Sequence, residues 1–203
     1  MVQTPTRTET ETLSIDLPIT LALYVTQEQF ALAEANRYLR LERTAQGELV
    51  VNPPTGWETG KRNLSISGEL YLWWRNAGEP GEAFDSSTGF ILPNGATRSP
   101  DASWVKIERW NALTQEQRKK FLPLCPDFAL EIVSETDDVE ETRTKMREYL
   151  DNGLRLGWLI NPKLKQVEIY RPNREVEVLQ SPATLSGEEV LPGFVLDLQP
   201  IFA

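Results

Sequence analysis

The sequence predicts an α/β (α+β) fold, a central mixed β-sheet flanked by helices with additional β-hairpins, and three observations carry that prediction. Short apolar, strand-like segments alternate with two longer helical patterns, so one face of each helix has to pack on a sheet. Several strand-like segments follow one another with only turns between them, which predicts a meander more than a run of βαβ units. The 203 residues, 40% hydrophobic and 25% charged, have the composition of a globular chain long enough to bury a core.

The elements follow in order. Residues 1–12 are Thr- and Glu-rich, lack the apolar stretch of a signal peptide and are expected to be a disordered tail, with 13–203 forming a single domain. Residues 13–24 read as extended. Thr26 then caps a helix over residues 27–36, rich in helix formers from Glu28 to Glu34. Residues 38–41 and 48–52 read as strands of a hairpin turning at Gln46-Gly47, and Pro53-Pro54 ends it. Residues 55–77 read mainly as helix: Leu64, Leu70, Leu72, Trp73 and Trp74 supply the apolar surface, and Asn76-Ala77-Gly78 supplies the stop.

Strand-like pieces follow at 82–85, 89–92, 102–107 and 127–133, with a short helix at 114–121 before the last. Thr136-Asp137-Asp138 opens a helix that runs to Leu150 and closes at Asn152-Gly153, its acidic start complementing the helix dipole. Val139, Thr142, Met146, Tyr149 and Leu150 recur mostly at three- and four-residue intervals and predict a face packed against the sheet. Strands at 156–160 and 166–170 join through an Asn161-Pro162 turn. Residues 175–179 and the stretch around Phe194-Val195-Leu196 make the C-terminal part β-rich.

Composition restricts the chemistry. With no histidine, the chain cannot build a Ser-His-Asp or Cys-His pair, a histidine-ligated metal site or a histidine pH switch. The lone Cys125 excludes an intrachain disulfide and a multi-cysteine metal cluster, and its setting, Phe-Leu-Pro-Leu-Cys-Pro, predicts a small buried thiol. Catalysis has to use Asp, Glu, Lys, Tyr or Ser. The longest apolar stretch, around Ile19 to Val25, is too short to span a bilayer, so a cytoplasmic protein without membrane contact is expected. A net charge of −9 weighs mildly against non-specific nucleic-acid binding. Basic residues do gather at Lys61-Arg62, Lys106 with Arg109, Arg118-Lys119-Lys120 and Lys163 with Lys165, and such clusters are ordinarily solvated faces.

Two acidic positions stand out. Along residues 127–133, alternation puts Asp127, Ala129, Glu131 and Val133 on one face, so Glu131 interrupts a nearly continuous apolar run. A carboxylate there is costly unless paired or metal-bound, and a strand-end salt bridge satisfies the sequence equally well. Asp101, in Ser99-Pro100-Asp101, reads either as turn chemistry before a strand or as a metal-binding carboxylate. Lys145 reads either as the exposed helical partner of Glu141 or as a cation aimed at the two acids. Their order, strand Asp, strand Glu, helix Lys, strengthens all three.

Ser99-Pro100-Asp101-Ala102-Ser103-Trp104-Val105, then Pro126-Asp127-Phe128-Ala129-Leu130-Glu131-Ile132-Val133-Ser134, resemble the Uma2 family. So do Lys145, Tyr149 and Gly153 with Gly157-Trp158-Leu159-Ile160-Asn161-Pro162. These are restriction-endonuclease-like proteins, common in cyanobacteria, and the resemblance runs over residues 27–194. It implies membership of the PD-(D/E)XK nuclease superfamily: a central mixed sheet with metal-binding carboxylates on two adjacent strands. By this match Asp101 and Glu131 are the motif acids, and the carbonyl of Ile132 is a further metal ligand. The superfamily pattern wants lysine two residues after the second acid, where this chain has Val133, and Lys145 is the substitute that a neighbouring helix offers. Glu69, on the earlier long helix, is a candidate for the auxiliary helix glutamate, with an exposed helical glutamate as its alternative. Ser134 and Asp137 are expected to cap the following helix.

The resemblance implies phosphodiester hydrolysis in DNA by a Mg²⁺-activated water, with Mn²⁺ as a substitute cation, Asp101 and Glu131 as metal ligands and Lys145 orienting the water or stabilising developing charge. A homodimer is the oligomer such nucleases commonly form. A second reading uses the nuclease fold as a catalytically inactive binding or regulatory module. A third is a structural oligomer with Trp73, Trp74 and Trp110 as interface anchors.

Overall fold

A computed structural model of the chain describes residues 23–33, 40–52, 54–135 and 137–203. The expectations for residues 1–22 and for the C-terminal turn of the first helix lie outside these. In chain order the elements are β1 (Leu23–Tyr24), α1 (Gln27–Ala33), β2 (Arg40–Arg43), β3 (Glu48–Asn52), α2 (Trp57–Asn76), β4 (Gly81–Asp85), β5 (Phe90–Ile91), β6 (Thr97–Arg98), β7 (Ala102–Lys106), α3 (Ile107–Asn111), α4 (Gln115–Arg118), β8 (Phe128–Ile132), α5 (Val139–Asp151), β9 (Leu156–Asn161), β10 (Gln166–Tyr170), β11 (Glu177–Gln180), β12 (Thr184–Ser186), β13 (Val195–Asp197) and α6 (Gln199–Phe202).

The expected mixed sheet is the centre of the molecule. Its order is β11-β10-β9-β8-β7-β4, and only β8 and β9 run parallel. Parallel neighbours need a crossover, and α5 supplies it. A second sheet, β1-β3-β2-β6-β5, carries the hairpin turning at Gly47, whose φ of 97° suits glycine. A separate hairpin joins β12 to β13.

Strand alternation divides the core in two. Phe128, Leu130 and Ile132 of β8 face Trp158 and Ile160 of β9, Ile66 and Leu70 of α2, and the C-terminal β12–β13 region. Ala129, with Val133 beyond the strand's end, faces Met146 and Tyr149 of α5. The helix sits close to the sheet there, since a Cβ at Gly157 would lie 2.5 Å from Met146 Cε. The three tryptophans offered as interface anchors work within the chain. Trp73 and Trp110 pack against the two cores, and the Trp74 indole donates to the carbonyl of Gly81.

Local chemistry explains the helix ends. At α1 the Thr26 hydroxyl accepts the Gln29 N–H at 3.2 Å while the Gln29 side chain accepts the Thr26 N–H at 2.8 Å. Asp138 caps α5 by accepting the Glu140 N–H at 2.8 Å. The strand expected over 102–107 ends one residue early, because Ile107 begins the short α3, an element without a sequence signal of its own. Strand β6, two residues long, was equally unannounced. Among the described residues no helix is long and apolar enough to cross a membrane.

Candidate active site

The ends of β7 and β8, the N-terminal half of α5, the start of α2 and the β2–β3 hairpin enclose a cleft of about 1170 Å³. Asp101 enters it from the residue before β7. The β7–β8 ladder ends at Ala102 opposite Leu130, and beyond that point the Asp101 carboxylate continues the pairing: its Oδ2 accepts the Ile132 N–H at 2.9 Å. Its Oδ1 accepts from Asn63 Nδ2 of α2 at 3.0 Å, so one carboxylate is held by a strand backbone and a helix side chain. The Val133 N–H turns the other way, to the carbonyl of Ile160. Because a strand residue directs its N–H and C=O to the same side, the carbonyl of Ile132 faces the Asp101 side of β8.

Glu131 is 6% exposed, and its Oε1 accepts from the Tyr149 hydroxyl at 3.0 Å and from Lys145 Nζ at 2.9 Å. Both donors come from α5, four residues apart and hence on one helix face. Burial pushes the Glu131 carboxyl up, Lys145 pulls it down, and the charges of Asp101 and Glu42 raise it again, to about 7. For Lys145 burial opposes the charge, yet Glu131 and Glu42 outweigh it and hold the amine well above the ordinary lysine range. Lys145 is therefore an ammonium at every physiological pH.

The ammonium has a second carboxylate. Lys145 Nζ lies 2.9 Å from Glu42 Oε1, and that same oxygen accepts the Ser99 N–H at 3.0 Å. Glu42 Oε2 meets Arg98 Nη1 at 3.3 Å, and Arg98 Nε meets Glu148 Oε2 at 2.6 Å. Burial raises the Glu42 carboxyl, but Lys145 and Arg98 prevail and leave it below the usual carboxylate range. An alternating chain of charge results: Glu131, Lys145, Glu42, Arg98, Glu148.

The structure brings Asp101, Glu131, Ile132 and Lys145 to one cleft. It does not bring Glu69, which is exposed on α2 and away from the cleft, where α2 instead presents Glu58 and Asn63. One helical turn and a half separates Asn63 from Glu69, enough to turn the side chain to another face. The exposed Lys145–Glu141 pair is not formed either, since the lysine points inward to Glu42 and Glu131. Asp137 accepts the Ser134 N–H at 2.8 Å in the loop before α5, and the N-cap of the helix is Asp138, not the expected Ser134 or Asp137. Sequence reasoning missed Glu42, Arg98 and Asn63. Glu42 lies just past the strand expected over 38–41, within the β2 that the structure places at Arg40–Arg43, and only the fold buries it.

These residues fit a hard divalent cation. Asp101 and Glu131 are oxygen donors, the Ile132 carbonyl faces the same side, and the carboxylates Glu42, Asp101, Glu131 and Glu148 outnumber the cations Arg98 and Lys145. No cluster of three or more His, Cys, Asp or Glu side chains at ligand spacing occurs among the described residues.

The fold is similar to that of a solved structure described as a putative nuclease belonging to DUF820 from Anabaena variabilis ATCC 29413. The TM-score is 0.73 at 19% identity, over 88% of this chain and 97% of that one. At that identity the likeness is one of fold. No curated protein sequence matches the chain. A family model described as "Putative restriction endonuclease" matches residues 27–199, including every residue of the charge chain just traced, and the chain belongs to that family, Uma2.

Proposed function

We propose that this chain is an endonuclease that hydrolyses phosphodiester bonds in DNA with Mg²⁺, or Mn²⁺ in its place, held by Asp101, Glu131 and the Ile132 carbonyl. The observation that carries this reading is the meeting of two strand-end carboxylates with a permanently charged lysine 2.9 Å from one of them. A bound cation would supply a water of lowered pKa and neutralise charge at the scissile phosphate. Asn63 and the Ile132 N–H fix the rotamer of Asp101, so that ligand needs little reorganisation. Lys145, kept protonated, is no general base; it donates hydrogen bonds to the attacking water or to a phosphoryl oxygen as negative charge develops. Tyr149 holds Glu131 Oε1 from the buried side, which leaves Oε2 for the cleft.

Cleavage of plasmid and linear DNA by the purified protein tests the proposal. Cleavage is expected only with Mg²⁺ or Mn²⁺, and Asp101→Ala, Glu131→Gln and Lys145→Met should each lower it at least 100-fold with the fold retained. Cleavage that survives Asp101→Ala unchanged, or none on any DNA with either cation, would refute it. The protein is proposed to act in the cytoplasm as a homodimer, which would present two clefts to one duplex; native mass measurement checks the dimer.

One observation favours a second reading, a binding or regulatory module without cleavage. Eleven residues lining the cleft are Asp or Glu, while Arg98 and Lys145 are its only cations among the described residues. Such a wall repels a phosphate backbone. A module of this kind has no reason to gain melting temperature from Mg²⁺, so a cation-dependent thermal shift that Asp101→Asn abolishes decides for the nuclease.

A further inference from the structure

The charge chain contains a residue that neither motif acid nor motif lysine accounts for. Glu42 is 4% exposed and takes three donors, Lys145 Nζ, Arg98 Nη1 and the Ser99 N–H. It comes from β2 in the second sheet, whereas Lys145 and Glu131 come from the two elements, α5 and β8, that build the proposed site. Removing one partner of a buried charge array leaves the rest uncompensated, so such a residue is not there by default.

We propose that Glu42 is a positioning residue for Lys145: it supplies the second carboxylate on which the ammonium stays when Glu131 turns to a divalent cation. The inference rests on the nuclease reading and deepens it. Lys145 and a cation both compete for Glu131, because each is a positive partner for the same carboxylate. With Glu42 at 2.9 Å the ammonium can relinquish Glu131 without becoming a buried charge that lacks a counter-ion. Without Glu42, Lys145 has Glu131 alone, and a cation must displace it. Arg98 completes the arrangement by anchoring the other oxygen of Glu42, which fixes the carboxylate's orientation.

The same contact gives the β2–β3 hairpin a functional place. Thr44, Glu48 and Val50 of that hairpin line the cleft wall opposite α5, and Glu42 ties the wall to the proposed catalytic lysine.

Mn²⁺ binding to the full chain, followed by electron paramagnetic resonance of the free ion, tests the inference apart from activity. Glu42→Asp keeps the charge but retracts the carboxylate by one methylene, so a pure field effect predicts unchanged affinity, whereas loss of the lysine's second partner predicts about tenfold weaker binding. Glu42→Gln should weaken binding at least as much, and Lys145→Met in that background should abolish the difference, since no ammonium is left to compete. Wild-type affinity in Glu42→Asp overturns the inference. So does a Glu42→Gln loss of the same size with and without Lys145, which would mark Glu42 as a distant charge and no more. Should Glu42→Gln fail to fold, Glu42→Asp with and without Lys145→Met gives the same cycle. Wild-type protein that binds no Mn²⁺ overturns the nuclease reading and this inference together; binding that Asp101→Asn abolishes but Glu42→Asp leaves intact overturns this inference alone.

Discussion

Glu131 makes the stability of this protein depend on pH in a direction opposite to that of an ordinary salt-bridged carboxylate. Ionising it in the folded state is opposed first by burial and then by the charges of Asp101 and Glu42, with Lys145 compensating only in part; its carboxyl sits at about 7 against 4.5 in the unfolded chain. Between those values the folded protein holds a proton that the unfolded chain has released. Stability therefore falls as pH rises through the window from 4.5 to 7, and the whole cost is present above it. At about 1.4 kcal/mol for each tenfold difference in proton affinity, the full cost is about 3 kcal/mol, most of which falls between pH 5 and pH 8.

The measurement is urea unfolding of wild type and Glu131→Gln at pH 5 and pH 8, followed by tryptophan fluorescence. Every other titrating group is common to both proteins, so the difference between them isolates position 131. Wild type should lose about 2–3 kcal/mol more than Glu131→Gln across the interval. If the two proteins track each other within about 0.5 kcal/mol, the Glu131 carboxyl is not raised and the account of its surroundings is wrong.

Further expectations follow from the same packing and charges. On the proposed metal reading a cation and a proton compete for Glu131, so 10 mM Mg²⁺ should raise the melting temperature several degrees more at pH 8 than at pH 5.5, and equal shifts would count against Glu131 as a ligand. A Cβ at Gly81 would lie 2.2 Å from the backbone carbonyl of Val105, so Gly81→Ala should cost about 2–3 kcal/mol, seen as a melting temperature lower by about 5–10 °C. Gly68→Ala, on α2 with nothing within 4 Å, should be neutral or raise it. Burial pushes the Cys125 thiol up to about 12, so an aromatic disulfide reagent at pH 8 should label it only after urea is added.

Elements with a repeating pattern were legible in the sequence, and elements defined by their surroundings were not. Helix α5 is legible through its acidic start and the spacing of Met146 and Tyr149, and β8 through its apolar run. Strand β6 and helix α3 are too short for any period to show, and they exist because Thr97 and Ile107 are held by neighbours. The candidate site divides in the same way. Asp101, Glu131 and Lys145 were singled out because each departs from its local pattern or recurs in a family motif. Glu42 departs from nothing: a glutamate between arginines on a short strand is what a solvated edge looks like. Its burial is a property of the second sheet folding over α5, which no local window contains.

The position of the lysine follows from that same face of the sheet. Val133 lies two residues beyond Glu131, on the side of β8 that packs against α5, among Met146 and Tyr149. Val133 is buried there and does not line the cleft, whereas Lys145, on the cleft-facing side of α5, reaches Glu131 directly. Lys145 and Tyr149, one turn apart, both end on Glu131 Oε1. The helix that covers Val133 is thus the element that carries Lys145. Its place on α5 also brings Lys145 to β2, where the Glu42 carboxylate meets it at 2.9 Å, so one ammonium joins the two sheets through Glu131 and Glu42.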